Sequence, residues 1–179
     1  VMGGTTTQCD NLIIRGNTIG STLATEQVTL RGITAQQIVN GIIEENTITS
    51  MIVNTSINIA GIEVYGSATT GTIVRRNTIS DIKSVSTSGY GAYGVNITSG
   101  TGTTVSNNVI HGVETTNYSA TSTTFNAFGI RLAGGTGHKV YYNSVKDRKS
   151  VVEGKKVDLG ECRRRERKQQ RKRARGGER

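Results

Sequence analysis

Thr72-Ile73-Val74-Arg75-Arg76-Asn77-Thr78-Ile79 is a phrase that this chain writes five times. The other copies run Leu12 to Ile19, Gly41 to Ile48, Thr103 to Ile110 and His138 to Val145. Each contains a β-branched aliphatic, two variable residues, an Asn, a small or β-branched residue, and then Ile or Val. The Asn positions are Asn17, Asn46, Asn77, Asn108 and Asn143, at intervals of 29, 31, 31 and 35 residues. A near-fixed period of this length marks a repeat architecture, in which each unit closes its core only against its neighbours.

A second phrase travels with the first. Gly61-Ile62-Glu63-Val64, Gly94-Val95-Asn96-Ile97 and Gly129-Ile130-Arg131-Leu132 alternate apolar and variable residues, and Gly32-Ile33-Thr34-Ala35 is a weaker copy. The Gly precedes the next Asn of the column by 14, 16, 14 and 14 residues. One period therefore holds at least two short strands, and alternation places Ile62 and Val64 on one face with Glu63 on the other. No 3.6-residue apolar stripe lies between the phrases, so helical crossovers are not expected. Strands this short gain a core only by stacking in parallel, with rungs about 4.8 Å apart. The expected fold is all-β: a parallel β-solenoid of about five rungs.

Ile-x-x-Asn-Thr-Ile alternating with Gly-Ile-x-Val resembles the right-handed parallel β-helix family, the architecture of pectate lyases and many bacterial surface proteins. The resemblance covers residues 1–146. The stretch from Gly129 through Gly134-Gly135-Thr136-Gly137-His138 to Val145 is similar to repeat regions of large secreted proteins of the Bacteroidetes. That likeness implies a right-handed coil and an extracellular or cell-surface location. The chain opens Val1-Met2-Gly3 in mid-pattern, which reads as an internal fragment, and no stretch approaches the 18 apolar residues of a membrane span.

The net charge of +9 is unevenly placed. Residues 1–146 carry eight basic and seven acidic side chains, whereas 147–179 carry fourteen and six. Two regions follow: a repeat body, 1–146, and a basic low-complexity tail, 147–179, expected to be disordered or partly helical. Asp147 to Gly160 resembles the conceptual translation of a short-read sequencing adapter, with Glu153 and Lys156 departing from it, so the tail is set aside as non-native. A real polycation there would bind nucleic acid only non-specifically and with steep salt dependence.

Candidate site residues are few. The Asn column reads as a structural ladder, since an amide both donates and accepts and tolerates left-handed backbone. Two residues earlier, Arg15, Glu44, Arg75, Ser106 and Tyr141 share a column, an outward ladder of alternating sign in its first three members. Lyases and hydrolases of this architecture need convergent carboxylates. Glu44 and Glu45 are adjacent on a strand and should face opposite ways, and Glu63 aligns with Thr34, Asn96 and Arg131 rather than with other acids. No catalytic residue, metal site or cofactor is assigned. His111 and His138 read as surface residues beside turns, and Cys9 and Cys162 form no ligand or disulfide framework.

Two lengthened segments, Ser80 to Ala92 and His111 to Ala127, should leave the coil as surface loops. Tyr90, Tyr93, Tyr118, Phe125 and Phe128 lie in or beside them, and loops leaving on one side would present these rings as a platform for a polysaccharide or cell-surface glycan. The acceptor triplets at Asn54, Asn96 and Asn117 match by composition alone. The expected function is a non-enzymatic spacer or adhesive stalk of a secreted or surface protein. The alternative is a piece of a polysaccharide lyase or glycoside hydrolase whose catalytic groove lies outside this chain.

Overall fold

The computed structural model describes residues 8–116 and 126–146. The chain winds as a parallel β-solenoid of about four turns, with three long sheets and a short parallel pair, Cys9–Asp10 with Ile38–Val39. The first sheet stacks Ile13–Arg15, Ile42–Glu44, Ile73–Arg75, Thr104–Ser106 and Lys139–Tyr141 in that order. The second stacks Thr18–Ile19, Thr47–Ile48, Thr78–Ser84, Val109–Thr115 and Ser144–Lys146, with Met51–Val53 paired beside Thr78–Ser84. The third stacks Arg31–Gln36, Ile59–Tyr65, Ala92–Ile97 and Ala127–Leu132. Every pairing is parallel and joins a strand to its counterpart one repeat away.

The interior follows from the two phrases. The aliphatic of each Asn phrase points inward, so Ile43, Val74 and Val105 form one column and Ile48, Ile79 and Ile110 another, all essentially buried. From the Gly phrase, Ile62, Val64, Val95 and Ile97 are fully buried, while Glu63 lies on the other face as alternation required. The Gly itself is a steric necessity. A Cβ on Gly61 would stand 2.7 Å from Ile79 Cγ2 and 2.8 Å from the Gly94 carbonyl oxygen, so the Gly column is where the third sheet presses onto the second.

The corner between the first and second sheets is two residues long. Its first residue is left-handed in every storey: Gly16, Glu45, Arg76, Asn107 and Tyr142, with φ between 53° and 68°. The expectation that the ladder Asn takes that conformation is corrected here, since the residue before it does. An L-residue pays for αL with a Cβ–carbonyl clash, so Glu45, Arg76 and Tyr142 hold a conformation that only the surrounding contacts enforce.

Those contacts are the ladder. The Oδ1 of Asn77 accepts from both the main-chain N–H and the Nδ2 of Asn46, at 3.0 and 2.9 Å. The pattern repeats from Asn17 to Asn46, from Asn77 to Asn108 and from Asn108 to Asn143. Each Nδ2 also reaches the carbonyl two residues back in its own coil and, from Asn46 onward, one in the preceding coil, as Asn77 does with Arg75 and Ile43. Asn46, Asn77 and Asn108 are buried, so each amide satisfies main-chain groups that water cannot reach.

The lengthened segments are shorter as loops than the sequence suggested. Ser80–Ser84 pairs in register with His111–Thr115 instead of leaving the coil. A second left-handed column, Ser50, Asp81 and Gly112, bends the second sheet there, after which Ile82 and Ser84 turn inward again. The connection that remains of the first segment is 85–91, and most of the second lies outside the described residues.

Two substitutions check this account. Asn77→Ala leaves the Asn46 N–H unpaired in the interior and removes the side-chain donor of the Ile43 carbonyl, which should cost about 1–3 kcal/mol, read from denaturant unfolding. Gly61→Ala should destabilise by about 1–3 kcal/mol through overpacking, whereas Gly89→Ala, with nothing near its Cβ, should cost only what its φ of 75° demands.

Candidate functional site

The densest polar cluster on the body is built on the first sheet. Glu44 stacks between Arg15 and Arg75, as the column predicted. The arginines lie over the carboxylate and bury it completely, although its strand position faces outward. Arg15 Nε donates at 2.6 Å to Oε1, with Nη2 also in contact, while Arg75 Nε and Arg76 Nη2 donate to Oε2 at 2.7 and 2.9 Å.

Glu45 does not face away from Glu44. Its left-handed backbone turns it out of strand alternation, and Arg76 Nη2 lies 2.9 Å from Glu44 and 3.1 Å from Glu45. One guanidinium thus bridges both acids. Arg76 was not singled out from sequence, yet Glu45 and Arg76 occupy successive storeys of one column, a sign alternation visible once the phrases are aligned. Hydrogen bonds from Arg15 and Arg75 are the main cause of the Glu44 carboxyl being lowered to about 2; desolvation opposes them less strongly. Such a group stays ionised and fully engaged near neutral pH, which suits neither a general acid nor a base.

The second cluster runs along the outer face of the third sheet. Thr34, Glu63, Asn96 and Arg131 share a column, as expected. Arg31 Nε donates to Glu63 at 2.6 Å, Asn96 Nδ2 to Glu63 at 3.0 Å, and Arg131 Nη1 to Asn96 Oδ1 at 3.2 Å. Asn96 is therefore engaged and buried, unlike Asn54, which is exposed between strands.

The aromatic candidates separate. Tyr93 is fully buried, stacked over Ala60 and beneath Phe128, with ring centroids 6.2 Å apart, and the Arg131 guanidinium sits 5.1 Å above its ring. Burial pushes its phenol up from the ordinary value. A ring so enclosed has no face for a sugar, so Tyr93 belongs to the packing of the sheet. Phe128 and Tyr90 are half-buried, and Tyr118 and Phe125 lie outside the described residues, as do Asn117, Cys162 and the tail.

His111 is exposed, whereas His138 is a brace. Its Nδ1 accepts from the Thr103 N–H at 3.2 Å, which leaves Nε2 to donate to the Gly134 carbonyl at 3.1 Å. Among the described residues no group of three or more His, Cys, Asp or Glu side chains is placed to hold a metal ion, and no helix is long and apolar enough to cross a membrane. Comparison of the chain with family models, with curated proteins and with solved structures returns no match.

The Glu44 cluster has a pH signature. Its folded value lies below the ordinary 4.5, so its contribution to stability is present above about pH 4.5 and is lost as the pH falls towards 2. Melting temperature should fall across that interval. In Glu44→Gln the fall should be shallower, and the variant should already melt lower at pH 7, since three guanidiniums lose the carboxylate they share.

Proposed function

We propose that this chain is a non-enzymatic spacer or stalk segment of a secreted or cell-surface protein. The reading of a β-helix repeat with likeness to pectate-lyase architecture and to Bacteroidetes secreted proteins belongs to the same proposal. The observation that carries it is the use made of Glu44 and Glu63, the two carboxylates central to the described faces. Both are consumed by guanidiniums from neighbouring coils, so they act between storeys rather than on a substrate. A column of such contacts stiffens a rod.

Glycan contact remains part of the proposal at Tyr90, a half-buried residue on the 85–91 connection. The runner-up is a lyase or hydrolase fragment. The test is incubation of the full chain with acidic and neutral polysaccharides, following unsaturated products by ultraviolet absorbance and hydrolysis by reducing ends. No turnover is expected. Turnover that disappears in Glu44→Gln or Glu63→Gln would overturn the spacer reading in favour of the enzyme. In a parallel immobilised-glycan screen, retention reduced by Tyr90→Ala would give the stalk an adhesive role.

A further inference from the structure

The corner between the third and first sheets is built on the plan of the Asn corner. Its left-handed residues are Asn11, Asn40, Gly71, Gly102 and Gly137, with φ between 53° and 67°. The residues that follow, Leu12, Gly41, Thr72, Thr103 and His138, stack storey on storey just before the in-register strands of the first sheet. At the Asn corner each Asn from Asn46 onward accepts from the main chain of the storey before. Here, among the described residues, one side chain does so. Leu12 and Gly41 offer no polar atom, and the buried hydroxyls of Thr72 and Thr103 bond nothing. His138 Nδ1 accepts from the N–H of Thr103, a residue with no exposed surface. Gly135 leaves room for the ring, since a Cβ there would collide with Nε2.

The two ring nitrogens bond different storeys. Nε2 bonds the Gly134 carbonyl of its own coil, whereas Nδ1 reaches the coil before. A main-chain N–H can only donate and a carbonyl only accept, so the ring is neutral with its proton on Nε2. A second proton goes to Nδ1. It leaves the Gly134 bond in place and sets a donor against the Thr103 N–H. Flipping the ring gives no relief, because an imidazolium has no acceptor.

The surrounding elements bring no carboxylate to hold that charge. Segments 98–103 and 133–137 and the strand Thr104–Ser106 contain no ionisable side chain. Lys139 and Tyr141 lie on the strand that follows the ring, and Arg131, on the third sheet, donates to Asn96.

We infer that His138 is a pH-sensitive latch between two coils. Neutral, it couples them; protonated, it keeps its own turn and lets go of the coil before. The bond is present while the ring is neutral and is lost as the pH falls through the imidazole range, about pH 8 to 5. The inference does not rest on the spacer reading.

Amide exchange of the full chain, followed by nuclear magnetic resonance, tests it. The neighbouring Thr104 N–H donates to the Thr72 carbonyl at 2.8 Å and serves as the internal reference. From pH 8 to pH 5 the protection factor of Thr103 should fall about tenfold, the worth of one hydrogen bond, while that of Thr104 holds. In His138→Asn, whose Oδ1 can replace Nδ1 but takes no proton, Thr103 should stay protected throughout. His111→Gln should leave the fall intact. Imidazole nitrogen-15 shifts at pH 8 should place the His138 proton on Nε2, a readout that needs no variant. A proton on Nδ1, parallel loss at Thr103 and Thr104, or an unchanged fall in folded His138→Asn would each overturn the inference.

Discussion

Everything in this fold hangs on a side-chain carbonyl that accepts from the main chain one storey below. At the corner the N–H that follows the left-handed residue bonds a side-chain oxygen of the next coil instead of a main-chain carbonyl. An interior N–H left there without a partner would be costly. The Asn of the next coil supplies the acceptor, and its own Nδ2 ties back to the carbonyl two residues earlier in its own coil. One amide thus closes a turn, joins two turns and fixes their register.

This also explains why one column is constant while its neighbours vary. An amide can stack on an identical amide, because it donates on one side and accepts on the other. A charge cannot stack on itself at sheet spacing without repulsion. The column two residues before the Asn therefore changes sign from Arg15 to Glu44 to Arg75 and then turns neutral at Ser106 and Tyr141. The same holds for Glu63, flanked by Thr34 and Asn96. Variation along these columns is a condition of stacking, not drift.

The storeys, the inward columns and the placing of Glu44 between Arg15 and Arg75 were legible in the sequence because they depend only on period and alternation. The corner was not. Spacing places a bend near the Asn but cannot say which of two adjacent residues bears the positive φ, and Glu45, Arg76 and Tyr142 are not left-handed formers. The kink at Ser50, Asp81 and Gly112 escaped notice because its residue type changes at every storey, so the strand beyond it read as loop. Tyr93 was read as exposed because it lies beside a variable stretch. Its column with Ala60 and Phe128 emerges only from the register of the third sheet.

The three corners of the coil differ in what fixes them. Between the first and second sheets stands the Asn ladder, and between the third and first the bridges Val39, Thr70, Thr101 and Thr136 run storey to storey. Between the second and third sheets the described connections 20–30, 54–58 and 85–91 differ in length and composition. Insertions of foreign sequence at that one edge would leave both registers untouched. The molecule is in effect a rack with a single row of pegs, on which peptides could be displayed at successive heights along one line.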